Sequence, residues 1–176
     1  MSADAIKTVD FPPAYGADIV VSCEKAKDPK NGSIYLKPTQ FVLGIGCRRD
    51  TAFENIDRAI RQSLLKLQID ISDIDMIASI DVKKDEPGIK EFCERNRIDF
   101  VTYTADELMA VHGEFSASQF VREHVGVDNV CERAAVLACS RECNEAGELV
   151  YKKHKYDRVT VAAARSVSYT HLRAHE

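Results

Sequence analysis

The sequence predicts an α/β fold: a single three-layer-like domain in which a mixed, mostly parallel sheet is flanked by helices. Three observations carry this expectation. From residue 41 onward, short apolar runs alternate with segments of helical period. The first run, Phe41-Val-Leu-Gly-Ile45, is unbroken, as a central strand covered on both faces requires. Near the C-terminal end two strand candidates flank a charged loop and read as a hairpin, which adds antiparallel pairing to the parallel set.

Residues 1–40 are punctuated by Pro12, Pro13, Gly16, Pro29, Gly32 and Pro38 and hold too few apolar side chains for a core of their own. Short strands are expected there at 18–22 and 34–36, and Asn31-Gly-Ser33 reads as a turn. The first core strand is expected at 41–46. A helix follows over 51–67, opened by a capping box at Thr51 and Glu54, with Ile56, Ala59, Ile60, Ser63, Leu64 and Leu67 on one face. A strand near 76–80, a helix near 85–96 with Pro87 in its first turn, and a strand at 99–103 continue the alternation. Further boxes at Thr104 and Glu107 and at Ser116 and Gln119 predict short helices, the second reaching about 125. Asn129 then caps an alanine-rich helix over 134–140, and Gly147 turns the chain into strands at 149–153 and 158–163. Residues 167–176 follow the last strand without an apolar period and are expected to be a non-native tail. His171 and His175 within it are spaced like helical metal ligands, but no third ligand is evident. The domain is thus expected to span 41–166.

With 176 residues, 45% hydrophobic and 30% charged, one core of ordinary size is expected. The net charge of −4 provides no basic excess to neutralise a phosphate backbone, so nucleic acid is not an expected partner. No run approaches the roughly 18 apolar residues of a membrane span, and Met1-Ser-Ala-Asp carries no basic or apolar leader, so a cytoplasmic location is expected. The six cysteines form no Cys-x-x-Cys pair, which argues against zinc and for reduced thiols.

Chemistry-bearing residues fall at element junctions. Arg48 and Arg49 stand where the first core strand gives way to a helix, the layout of an anion site. Cations at a helix N-terminus oppose its dipole, so an anion between them and the backbone N–H groups would account for the pair. Two solvated loop arginines fit the spacing as well. Lys83 and Glu86 follow the next strand, and Glu132 opens the alanine-rich helix. In a parallel sheet the carboxyl ends of strands line one crevice, which would bring Arg48, Lys83 and Glu86 together. Glu86 before Pro87 also suits a first-turn carboxylate, and Glu132 three residues after Asn129 suits a cap partner. Cys47 is either a thiolate favoured by neighbouring arginines or a small buried hydrophobe. Gly44-x-Gly46 lacks the third glycine of a dinucleotide fingerprint, and Ser63-x-x-Lys66 lies too deep in a helix for a nucleophile. No role is assigned to His112 or His124.

Taken in order, Gly44-Ile-Gly-Cys-Arg-Arg49, Lys83-x-x-Glu86-x-Gly88, Ser118-x-Phe120-Val121, Val125-Gly-Val, Val130-x-Glu132-x-Ala134-Ala135 and Thr160-Val-Ala resemble the C-terminal domain of the cobalamin biosynthesis family CbiG, the cobalt-precorrin-5A hydrolases. The resemblance covers residues 41–165; residues 1–40 look like the end of that family's central region. The aerobic-pathway protein CobE is similar to this domain alone. The resemblance implies an enzyme of the anaerobic vitamin B12 pathway. Its reaction hydrolyses the δ-lactone of cobalt-precorrin-5A to cobalt-precorrin-5B and releases acetaldehyde, with no cofactor because cobalt belongs to the substrate. A macrocycle rimmed with carboxylates gives Arg48 and Arg49 a binding task, with Gly46 and Cys47 beside them. It gives Lys83 a carboxylate or an oxyanion to hold, and makes Glu86 or Glu132 the water-activating group. The partners it implies are the tetrapyrrole and either the family's N-terminal domain or other pathway enzymes. That N-terminal domain has no counterpart here, and Asp50 stands where the family usually has glycine; the expected activity is that of a full-length hydrolase, and if the missing domain completes the cleft this fragment binds corrinoid without turning it over. The alternatives are a non-catalytic corrinoid-binding or carrier module and, less well supported by the glycine pattern, a nucleotide-binding regulatory domain.

Overall fold

A computed structural model of the chain describes residues 19–21, 34–36, 41–115, 129–142 and 147–166. The chain divides into two compact units, Met1–Thr39 and Gln40–Glu176. In the first, β1 (Ile19–Val21) pairs in parallel with β2 (Ile34–Leu36).

The second unit runs β3 (Phe41–Cys47), α1 (Phe53–Leu67), β4 (Ile74–Ile80), α2 (Pro87–Asn96), β5 (Asp99–Tyr103), α3 (Ala105–Met109), α4 (Val130–Glu142), β6 (Gly147–Lys155) and β7 (Val159–Ser166). Its five strands are ordered β5-β4-β3-β7-β6. β3, β4 and β5 are parallel, as strands joined by helical crossovers must be, while β7 pairs antiparallel with both β3 and β6. The expected mixed sheet with β3 at its centre is therefore observed.

Alternation along β3 divides the core between two helix layers. Leu43 and Ile45 join Ile77 of β4, Ile56, Ile60 and Leu64 of α1, and Ile89 and Phe92 of α2. Val42 joins Ala78 and Ile80 with Leu108 of α3 and Ala134, Ala135 and Ala138 of α4 on the other face. The alanines of α4 serve one purpose: they let the helix lie on Gly44, where a Cβ would overlap the carbonyl of Cys131 and sit 3.0 Å from the nitrogen of Ala135.

Element boundaries differ from the sequence expectations where tertiary partners intervene. Helix α1 begins at Phe53 with Ala52 as its cap and no side-chain cap bond. The Thr51 to Glu54 box does not form because Thr51 is committed elsewhere: its Oγ1 donates to the Arg48 carbonyl at 2.6 Å and its N–H to Glu86 at 2.9 Å. The Thr104 to Glu107 box forms as expected. The Asn129 cap forms, with the Glu132 N–H donating to Asn129 Oδ1 at 3.2 Å, and α4 starts earlier than 134. Strands β6 and β7 are longer than expected because they continue each other's ladder. The helix expected from Ser116 lies outside the described residues, as do residues 167–176 with His171 and His175.

Candidate functional site

The carboxyl ends of β3 and β4 and the starts of α1 and α2 lie side by side, and one carboxylate joins them. Glu86, only 6% exposed, accepts the Thr51 N–H on Oε1 and Lys83 Nζ on Oε2, the latter at 3.0 Å. Lys83 stands at the end of the one-turn helix Asp81–Lys83, where β4 stops, and its side chain is mostly covered. Glu86 therefore staples the arginine loop to the lysine turn. Gly88 completes the approach: a Cβ there would strike the Thr51 carbonyl, so only glycine lets the first turn of α2 lie against residues 51–53. The expected first-turn role of Glu86 is replaced: it stands as the N-cap of α2 without a side-chain cap bond, and its carboxylate is directed at the start of α1 and at Lys83.

Arg48 and Arg49 are exposed, and Asp50 takes a left-handed φ of 54°, a conformation that aspartate tolerates in place of glycine. Cys47 sits beneath them. Burial pushes its thiol up to about 11; Lys83 opposes the rise, Glu86 adds to it, and hydrogen bonding with Thr51 and the charge of Arg158 oppose it. Desolvation exceeds the pull of the cations, so the surroundings of the half-buried Cys47 favour the thiol over the thiolate.

Glu132 lies at the start of α4, in the helix layer opposite α1 and α2. It is fully buried, and its Oε1 accepts the Lys153 N–H at 2.6 Å. That N–H is free of the ladder because the β6–β7 register shifts between Tyr151 and His154. The Gly46 carbonyl, between the two layers, accepts Thr160 Oγ1 at 3.2 Å. The structure thus gathers Gly46, Cys47, the 48–51 loop, Lys83 and Glu86 at one edge and places Glu132 across the sheet, engaged with β6.

One residue at this edge has no signal in the motifs. Arg158, in the β6–β7 turn, reaches the arginine loop because Val159 pairs with Cys47 across the β3–β7 ladder. Its carbonyl accepts the Arg48 N–H at 3.0 Å, and its Nη2 donates to the Arg49 carbonyl at 3.1 Å. Only a prediction that β7 pairs with β3 in this register would have found it.

Among the described residues no group of three or more His, Cys, Asp or Glu side chains is placed to hold a metal ion. No described helix is long and apolar enough to cross a membrane.

The chain is similar to several known proteins. A cobalt-precorrin-5A hydrolase of Salmonella typhimurium is 38% identical over 102 residues, covering 58% of this chain and 29% of the hydrolase. That of Priestia megaterium is 30% identical over 135 residues, covering 77% of this chain and 34% of the hydrolase. The chain therefore spans about a third of the length of these curated relatives. The crystal structure of CobE, a protein from the cobalamin (vitamin B12) biosynthetic pathway, superposes with a TM-score of 0.70 at 26% identity, over 74% of this chain and 93% of CobE. Residues 41–164, which contain the whole edge just described, match the family described as cobalamin synthesis G C-terminus, and the chain belongs to that family.

Proposed function

We propose that this chain is the tetrapyrrole-binding C-terminal part of a cobalt-precorrin-5A hydrolase, with residues 41–166 as the domain and residues 1–40 as the end of the family's central region. The observation that carries the reading is the edge where Arg48, Arg49 and Lys83 stand on two loops stapled by Glu86. Carboxylates around a rigid macrocycle are matched by cations whose spacing is held in advance. In this reading the guanidinium groups of Arg48 and Arg49 take acetate or propionate side chains of the substrate, beside the Gly46–Cys47 backbone. Lys83 neutralises a further carboxylate or the oxyanion formed as the δ-lactone opens. Glu86 or Glu132 accepts the proton of the attacking water, and ring opening leaves the fragment that departs as acetaldehyde. The rest of the hydrolase supplies the facing wall.

A second reading is favoured by one feature of the site. Both glutamates already hold a backbone N–H, so neither is a disengaged base, and a non-catalytic corrinoid-binding module would need neither for chemistry. Two measurements decide. Titration with a cobalt corrin bearing free acetate and propionate groups should shift its visible absorption saturably, whereas ATP should leave the melting temperature unchanged; the reverse result sinks both corrinoid readings. Acetaldehyde release by the full-length hydrolase should be lost in Glu132→Gln or Glu86→Gln with binding retained. Release that survives both substitutions leaves this domain as a binding module.

A further inference from the structure

Arg158 lies outside every motif piece on which the family resemblance rests, yet its placement is hard to explain as a turn residue. Its φ is 62°, the left-handed region where glycine or asparagine would sit without strain. From there it exchanges two hydrogen bonds with the arginine loop, accepting from Arg48 N and donating to Arg49 O. Arg48, Arg49 and Arg158 are all exposed, and no described carboxylate forms an ion pair with any of them. Lys83, by contrast, is engaged by Glu86. Three exposed arginines on adjoining turns give this edge a positive field that favours an anion. A guanidinium has five N–H donors, and Arg158 commits one described bond to Arg49, so most of its fork remains available.

We propose that Arg158 is a third carboxylate ligand of the substrate site, closing a three-arginine cradle with Arg48 and Arg49. The ligand class is a rigid organic polyanion carrying several carboxylates, and the assignment rests on the corrinoid-binding reading above. Arg158 does two things at once: it holds the arginine loop through the Arg49 carbonyl, and it presents its other donors to the ligand beside that loop.

The test titrates the full chain with three probes: a cobalt corrin with free acetate and propionate groups, its fully amidated counterpart, and benzene hexacarboxylate. Arg158→Ala and Arg158→Gly should weaken the carboxylate corrin at least tenfold and leave the amidated corrin unchanged, while Arg158→Lys recovers part of the loss. The parent's affinity for the carboxylate corrin should fall as ionic strength rises. Arg158→Gln separates a ligand from a brace, since its amide keeps an N–H donor for the Arg49 carbonyl but carries no charge: its melting temperature should match the parent's while its affinity for the carboxylate corrin still drops. If Arg158→Gln binds the carboxylate corrin like the parent, Arg158 is no ligand, although corrinoid binding stands. If benzene hexacarboxylate binds in an Arg158-dependent way and neither corrin binds, the cradle stands and the corrinoid reading fails. Binding of none of the three overturns both.

Discussion

At the scale of single residues, the candidate site mixes near and distant contacts: Glu86 takes Lys83 from its own turn and the Thr51 N–H from the start of α1, and Arg158 reaches the Arg49 carbonyl. Arg48 and Arg49 contribute exposed charge and no core packing, so replacing both by alanine should leave the melting temperature nearly unchanged. Charge-assisted hydrogen bonds are worth roughly 1.5–3 kcal/mol each, so affinity for a polycarboxylate corrin should fall at least tenfold. Equal affinity in a variant that melts much lower would make the pair structural. Cysteine chemistry offers an independent check. Burial raises Cys47 to about 11 and Cys131 and Cys93 to about 12, so these thiols should resist alkylation in the folded protein near neutral pH. The linkage has a definite sign. An acid whose folded pKa is raised loses its proton first in the unfolded chain, so stability should be level below pH 9 and fall as pH rises from there toward about 11. Denaturant midpoints measured from pH 7 to 11 check it; a midpoint that rises over that range contradicts the burial of the thiols.

At the scale of elements, two glycines of the family series mark close approaches of backbone to backbone. Gly44 receives the backbone of α4 at Cys131 and Ala135, and Gly88 receives the carbonyl of Thr51. Gly44→Val should therefore force α4 off the sheet and cost about 3 kcal/mol, the upper part of the range for overpacked cores, read from urea denaturation. A loss under about 1 kcal/mol would mean that α4 does not sit on β3 as described. Glu132 shows the same logic with a polar group, because it serves the Lys153 N–H that the irregular β6–β7 register leaves outside the ladder. Glu132→Gln keeps an acceptor there and should be mild. Glu132→Ala leaves a buried donor unsatisfied and should cost about 1–3 kcal/mol. Equal stabilities of the two variants would show that the bond to Lys153 contributes nothing. Spacing alone read Glu132 as a cap partner of Asn129 and Thr51 as the cap of α1. Thr51 gives up its box altogether, and Glu132 adds a long-range partner to its bond with Asn129, neither of which a local pattern can contain.

For the whole molecule, the five-stranded sheet and its two helix layers lie within residues 41–166, and among the described residues the two core clusters are drawn from that span. A chain cut back to those residues should unfold in one cooperative transition with a melting temperature close to that of the full chain. Loss of cooperativity would mean that residues 1–40 complete the fold. The arrangement also explains how the residues of the candidate site come together. Parallel β3 and β4 deliver their carboxyl ends and the following helix starts to one edge, and antiparallel β7 brings the β6–β7 turn, with Arg158, to that same edge.

The sequence by itself determined the class of the fold, the centrality of β3, the helix faces and the family, because apolar periodicity and an ordered series of motifs are local properties of the chain. It also marked Arg48, Arg49, Lys83, Glu86 and Glu132 as junction residues worth naming. Only the tertiary structure decided what those residues touch: Glu86 binds the start of α1, Glu132 serves β6 across the sheet, Cys47 is held protonated by burial, and Arg158 joins the arginines. The reason is physical. Hydrogen bonds, desolvation and charge act over a few ångströms in space, and strand pairing sets residues as distant as Arg48 and Arg158 side by side. No local reading of spacing carries that register, because it is chosen by the packing of the sheet as a whole.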